Sequence, residues 1–448
     1  MAKRLRIPKF GSPVERSFLQ IFAPMNIPAT FDRQTARSAD AADPLHRHRA
    51  DFLIPQHEGE DCIYFTGNSL GLQPRAAATA LQAELEDWAQ HGVEGHFAAR
   101  NPWVSYHERF TTGLCHLTGG LPHEVVAMNA LTVNLHLLMV SFFRPQGKRR
   151  KILCEAKAFP SDQYALASQI RFHHLDPTTD LIEVAPRPGE HVLRTADILS
   201  AIEEAGDTLA MVMMGGVNYF SGARLDMPAI TAAAHAVGAT CGFDLAHAIG
   251  NVPLSLHDWG VDFACWCSYK YLNSGPGAVS GIFVHERHVH SPDIPRFEGW
   301  WGHDAERRFL MEETFSAMPS AEAWQMSNAP VLNMAVHKVA LDQFLDAGLP
   351  QLRERGDRLT AYLEAAVLDV PGLEIITPSD PAQRGSQLSV VAHGFGRSLF
   401  DALSAAGVVA DWREPNVIRM APVPLYNSFE DIARFHAILR TAVAQHSK

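Results

Sequence analysis

Two alternating rhythms of apolar residues run through the chain from about residue 120 to residue 330. Short continuous apolar runs at 124–128, 151–155, 209–214, 239–244, 261–267 and 278–284 read as buried strands, because both faces of each run are hydrophobic. Between them, patterns at helical spacing occupy 132–142, 162–172, 195–205 and 226–237. The last carries its own start signals, Asp226 as cap and Pro228 in the first turn. Buried strands separated by amphipathic helices predict an α/β fold with a mainly parallel sheet covered on both faces. A further helix is expected from about Arg75 to Gln90, with Leu81, Leu85 and Trp88 as its apolar face.

The rhythm differs on either side. Residues 1–63, rich in Pro, His and Arg, predict an irregular arm with one short helix. Beyond 330, long helical patterns at 332–347 and 350–367 lead to strands near 373–377, 387–392 and 417–421 and a closing helix from 428. The expected organisation is a large domain over 64–330 and a smaller α+β domain over 331–448, completed by the arm. A chain of 448 residues is long enough for two such cores.

Composition narrows the class. A hydrophobic share of 47% with 19% charged residues is that of a soluble globular protein, and no apolar stretch reaches the roughly 18 residues of a membrane span. The net charge of −11 opposes nonspecific binding to nucleic acid or acidic membranes. Lys3, Arg4, Arg6 and Lys9 lead into no apolar segment, so they mark no secretory signal, and Lys148–Lys151 reads as a solvated loop. Cysteines 62, 115, 154, 241, 265 and 267 form no CxxC pair and sit mostly in apolar segments, as in a reduced, cytoplasmic protein. No metal site is expected: His285-Glu286-Arg287-His288 is one residue short of the HExxH spacing, and it is expected to be exposed. Gly275, Gly277 and Gly281 lack the dinucleotide-binding spacing and predict a tight turn instead.

The chemistry-bearing residues cluster at strand ends. Lys270 follows the apolar run 261–267 and lies between Tyr269 and Tyr271. Burial of an amine favours its neutral, nucleophilic form, which Schiff-base chemistry requires; alone, such a lysine equally fits a strand end reaching for water. Asp244 and His247 end the run 239–244 and, alone, read as a structural hydrogen-bonded pair. Together with Lys270 they place a carboxylate and an amine at the carboxyl ends of two strands, where open α/β sheets bind ligands. Thr132 opens a helix whose N-terminus suits an anion, although a plain N-cap reads the same. Phe159, in Phe159-Pro160-Ser161-Asp162, offers an aromatic face.

These residues, in this order, resemble the kynureninase family of fold-type-I pyridoxal-phosphate enzymes in the class V aminotransferase group. The resemblance runs from about Tyr64 onward and is carried by Tyr64–Pro74, Ala127–His136, Glu155–Asp162, Phe243–His247, Asp258–Lys270 and Ile418–Asn427. It implies a seven-stranded, mainly parallel sheet and pyridoxal 5'-phosphate held as a Schiff base on Lys270. It assigns Asp244 to the pyridine nitrogen, His247 to support beside it, Phe159 to stacking on the ring, and Leu131, Thr132, Asp162 and Tyr269 to the cofactor-binding set. Trp300 and Asn328 would reach the site from a second subunit of a homodimer. Arg419 would pair with the substrate α-carboxylate, and Ser69, His96 and Asn328 would line the pocket for the substrate's aromatic end. One departure stands out: some relatives carry a serine where this chain has Gly215.

The implied reaction is hydrolysis of L-kynurenine or 3-hydroxy-L-kynurenine to an anthranilate and L-alanine, with a preference for the 3-hydroxylated substrate from His96 and Asn328. Lys270 would move a proton from Cα to the cofactor, and Tyr269 would donate one to the β-carbanion. Two alternatives are a cysteine desulfurase or selenocysteine lyase of the same fold, which needs a reactive loop cysteine, and a non-catalytic scaffold, which has no use for Lys270.

Overall fold

A computed structural model of the chain describes residues 25–291 and 293–446; the basic residues Lys3, Arg4, Arg6 and Lys9 lie outside that range. The central sheet has seven strands: β1 (Val125–Ala127), β2 (Lys151–Glu155), β3 (Leu181–Val184), β4 (Leu209–Gly215), β5 (Thr240–Asp244), β6 (Phe263–Trp266) and β7 (Gly281–Val284). Their order across the sheet is β1-β7-β6-β5-β4-β2-β3. Every pairing is parallel except the two made by β7, which runs against β6 and β1. The mainly parallel α/β architecture expected from the rhythm is therefore present.

Both faces of the sheet are buried because alternate residues of each strand enter different cores. Leu153, Val212, Phe243, Ala264 and Phe283 pack on one side with helices α5 (Thr195–Ala205) and α6 (Met227–Ala236). Ile152, Met213, Phe263, Cys265 and Ile282 pack on the other with α3 (Leu131–Phe142) and α4 (Pro160–Phe172). Asp226 caps α6 as expected, accepting from Ala229 N at 3.2 Å. The edge strand β3 is absent from the predicted elements because its four residues, Leu-Ile-Glu-Val, are half-exposed and too short to form an apolar run.

A second core surrounds a four-stranded antiparallel sheet of β8 (Leu373–Ile375), β9 (Leu388–Ala392), β10 (Asp411–Arg413) and β11 (Val417–Met420), in the order β8-β9-β11-β10. Helices α7 (Val331–Ala347) and α8 (Leu349–Leu368) lead to it, followed by α9 (Arg397–Ala405) and α10 (Phe429–His446). The pattern reading omitted α9 and β10. From the N-terminal side, α1 (Arg33–Ala42) lies on α10, and the Asp40 carboxylate accepts from Phe429 N and Glu430 N at 2.8 and 2.9 Å. A negative charge at that helix start meets unpaired amides and the positive end of the helix dipole. Ile63 and Phe65 enter this same core. Among the described residues, no helix is long and apolar enough to cross a membrane.

Two expectations need correction. Helix α2 (Ala77–His91) turns Glu84 and Asp87 inward, while Leu85 and Trp88 face solvent. The inward carboxylates are satisfied: Glu84 accepts from Tyr106 Oη at 2.8 Å and Trp103 Nε1 at 3.1 Å, and Asp87 accepts from Arg100 N at 2.8 Å. A hydrophobicity pattern does not register such partners. His285 and His288 are half-buried rather than exposed, bound to Glu124 (3.7 Å) and Asp262 (2.7 Å). Glu124, His257 and His285 bring three ligand-type atoms within 4.8 Å of one another. They lie beyond the amino ends of β1 and β6, and Glu124 already accepts from Leu121 N and Glu286 N.

The loop after β6 is locked from behind by α7. Ser274 Oγ lies 2.6 Å from His337 Nδ1, and the fully buried imidazole stacks on Phe110 at 5.0 Å. Burial pushes the His337 pKa from 6.5 down to about 3. As pH falls below about 6.5 the unfolded chain takes up a proton that the folded chain refuses, so stability present above 6.5 is lost progressively toward pH 3. Melting temperatures between pH 7 and 4 are expected to fall less steeply in His337→Asn than in the unaltered chain. Equal slopes would remove His337 as the acid-labile point.

Candidate active site

Five strand ends make the site. The loops after the carboxyl ends of β1, β2, β4, β5 and β6 bring together Leu131, Thr132, Glu155, Phe159, Ser161, Asp162, Gly215, Val217, Tyr219, Asp244, Ala246, His247, Cys267, Tyr269 and Lys270 around one pocket. This is the end of a parallel sheet where loops diverge and leave a crevice. Asp244 is the last residue of β5, paired with Cys265 of β6, so that register brings it toward the loop that carries Lys270.

Lys270 Nζ lies 3.0 Å from His247 Nε2 and 5.7 Å from the Phe159 ring centre. Burial, and then the neighbouring charges of Lys270, Arg419 and Arg413, hold the His247 pKa well below the usual imidazole range. Neutral His247 therefore accepts from Lys270 at Nε2 and carries its proton on Nδ1, a buried atom with no hydrogen-bond partner among the described residues. Asp244 accepts from Ala246 N at 2.7 Å. Its carboxyl is raised by burial and drawn back down by the Lys270 charge. Asp162, in the first turn of α4, is raised by burial and by the like charge of Asp244. Glu155 is raised by burial as well and held down by donors from Asn218 and Gly215.

The start of α3 is the candidate anion-binding element. Its N-cap is Ala130, so Thr132 is the second helical residue and not the cap. That frees the Thr132 hydroxyl, and the amides of Leu131 and Thr132 precede the first helical hydrogen bond. Asn129, with φ of 46°, turns the chain from β1 into this helix. Phe159 precedes α4, half-exposed, with Tyr219 packed edge-on at 5.3 Å. A flat aromatic ligand with one anionic end and one carbonyl finds an amine, a carboxylate, an anion cradle and a ring face here.

Eight predicted residues thus meet in one pocket: Leu131, Thr132, Phe159, Asp162, Asp244, His247, Tyr269 and Lys270. Five do not line it. Arg419, on β11 and fully buried, donates to Tyr219 O at 2.6 Å and pairs with Asp411, one residue layer behind the pocket. Ser69 is exposed in the segment that ends with Gly71 N donating to Tyr269 O at 2.8 Å. His96 is half-buried beside Trp103, while Trp300 and Asn328 are exposed. Glu155, Ser161, Tyr219 and Cys267 join the pocket unanticipated. Glu155 carried a usable signal, an acidic residue closing a buried strand; Tyr219 lies in a loop with no pattern at all.

Gly215 closes β4 against Glu155: a Cβ there would sit 2.9 Å from Glu155 Oε1. The departure from the serine of some relatives is therefore a matter of space beside a carboxylate as well as of a lost hydroxyl. Cys267 is the pocket's cysteine, and burial pushes its thiol up to about 11. It is a poor source of thiolate at neutral pH.

The backbone resembles the cystine C–S lyase C-DES (TM-score 0.72, 16% identity, 85% of this chain and 97% of that one). It also resembles a cysteine desulfurase from Escherichia coli (TM-score 0.73, 15% identity, 90% and 98%). At those identities the likeness is one of fold. The kynureninase C-terminal domain family matches residues 352–439. Along the whole sequence, a kynureninase of Flavobacterium johnsoniae is 53% identical over 416 residues, 92% of this chain and 98% of that protein. One of Myxococcus xanthus is 55% identical over 403 residues, 89% and 95%. Identity of that depth over nearly the full length of both partners places this chain in the kynureninase family.

Proposed function

We propose that the chain uses pyridoxal 5'-phosphate to cleave the Cβ–Cγ bond of L-kynurenine or 3-hydroxy-L-kynurenine hydrolytically, yielding L-alanine and the matching anthranilate. The observation that carries this reading is Lys270 set against His247 beside Asp244, within a chain 53% identical to a kynureninase over 92% of its length. The cofactor fits the residues present. Asp244 is placed to hold a ring nitrogen, Phe159 to cover a ring face, and Thr132 with the start of α3 to receive a phosphate. The buried, unpartnered Nδ1 of His247 calls for an acceptor that the described residues do not supply.

Bound there, the cofactor supplies an electron sink for charge developing at Cα and Cβ. Lys270 would hold the cofactor and then move the proton from Cα to it. His247, held neutral by burial, adds no second positive charge beside that amine. Burial keeps the Tyr269 phenol protonated, as a donor to Cβ must be. Arg419 answers the substrate α-carboxylate with a planar guanidinium. The desulfurase alternative is disfavoured by the protonated Cys267 thiol.

Two copies would complete the site. Phe97, Trp300 and Phe309 form one exposed aromatic chain, with ring centres 6.1 and 5.6 Å apart, flanked by exposed Leu310 and Met311. An uncovered patch of that character favours a homodimer face, and Trp300 belongs to it. Six free cysteines, five of them buried, fit a reducing, cytoplasmic setting.

Purified protein with the cofactor should form alanine and an anthranilate in equal amounts from either substrate. Lys270→Ala should lower kcat at least about a hundredfold, and near-full activity in that variant would exclude the assigned role. Efficiency with 3-hydroxy-L-kynurenine should exceed that with L-kynurenine about tenfold or more; comparable kcat/KM values would end the preference. In sedimentation at micromolar concentration, Phe309→Asp should run as a monomer and the unaltered chain as a dimer. A Phe309→Asp dimer would place the interface elsewhere.

A further inference from the structure

Glu155 sits where the two cores meet. Its Oε2 accepts from Asn218 Nδ2 at 2.6 Å, and its Oε1 accepts from Gly215 N at 3.3 Å. The Asn218 side-chain oxygen in turn accepts three bonds: from Phe220 N at 3.0 Å, Ser221 N at 2.8 Å and Ser221 Oγ at 3.0 Å. Asn218 also closes the turn through its backbone, donating to Ala223 O and receiving Gly222 N. The carbonyls of this turn face the second core. Tyr219 O receives Arg419 Nη1 at 2.6 Å and Gln387 Nε2 at 3.0 Å; Phe220 O receives Ser389 Oγ at 2.5 Å; Ser221 O receives Thr377 Oγ1 at 2.5 Å.

A carboxylate accepts hydrogen bonds and donates none, so Glu155 decides which way the Asn218 amide faces. With the NH2 turned to Glu155, the oxygen is left to clamp residues 220 and 221. We infer that Glu155 is a positioning residue for substrate recognition, fixing Asn218 and through it the 217–224 turn that holds Arg419 behind Tyr219 at the wall of the cofactor pocket. The inference rests on the proposed role of Arg419 in binding the substrate carboxylate. Glu155 itself need not touch the substrate.

Three variants test it. Glu155→Gln leaves a single acceptor oxygen for the two donors Asn218 Nδ2 and Gly215 N, so one of them meets an NH2, and Asn218→Asp sets two carboxylates face to face. Glu155→Gln/Asn218→Asp restores one donor and one acceptor in the reverse sense, and the carboxylate introduced at position 218 still accepts the three bonds from residues 220 and 221. Each single variant should raise KM for L-kynurenine about tenfold, more than it lowers kcat, and the double variant should return to within about threefold of the unaltered chain. In the cofactor-free protein, hydrogen exchange at 217–224 should quicken in the single variants and recover in the double. Recovery in the double supports the inference even where a single variant fails to accumulate. A double variant no better than the worse single, or unchanged KM and exchange in folded Glu155→Gln, overturns it. An unaltered chain that does not turn over either substrate defeats the proposed activity instead, and the exchange arm still decides the coupling.

Discussion

Three carboxyl groups and one amine share a buried space at the ends of β2, β5 and β6, and the surrounding structure answers that imbalance. Glu155, Asp162 and Asp244 are each raised by burial, and Lys270 is the cation among them. Charges of that kind are tolerated out of water only when bonded or neutralised. Ala246 N serves Asp244, Gly215 N and Asn218 serve Glu155, and neutral His247 receives Lys270 without adding charge. The same need explains why the pocket is assembled from strand ends: only there do rigid backbone positions meet unpaired amides. A ligand with a basic ring nitrogen and an anionic tail would complete the set by taking up Asp244 and the start of α3.

The second core is tied to this pocket by polar contacts to one turn, beside which Phe220 packs on Ile376, Val391 and Val417. Gln387, Ser389 and Arg419, on or beside β9 and β11, bond to carbonyls of a single turn, so small displacements of that turn reach all three. Arg419 is almost wholly buried, with Asp411 as its ion partner. Its position is fixed from both sides, by that carboxylate and by Tyr219 O. The aromatic patch around Trp300 and Phe309 is exposed to solvent.

Much of this was legible in the sequence. Buried parallel strands show as continuous apolar runs because both their faces are covered, and six of the seven central strands appear that way. Their ends then single out Asp244, His247 and Lys270, since a polar residue closing such a run is costly unless it is used. The helix start and the aromatic after β2 pointed to Thr132 and Phe159, and the family resemblance added Leu131, Asp162 and Tyr269, all of which line the pocket. What escaped was decided by partners far away in the chain. Glu84 and Asp87 are inside only because Tyr106, Trp103 and Arg100 reach them, which reverses the face that Leu85 and Trp88 had marked as inward. Likewise β3 exists as an edge because β2 offers it a partner, not because its four residues call for a strand.

By itself, then, the amino-acid order determined the layered α/β core, the strand ends that carry the chemistry and the family to which they belong, because those follow from local periodicity and from residues adjacent in the chain. Only the tertiary structure decided that Thr132 is free of capping, that His247 is neutral with a spare Nδ1, and that Glu155 joins the pocket to the turn holding Arg419. The last two depend on groups 23 to 200 residues apart meeting out of water, where a single hydrogen bond or neighbouring charge sets protonation and orientation, whereas the first follows from the extended backbone of Ala130.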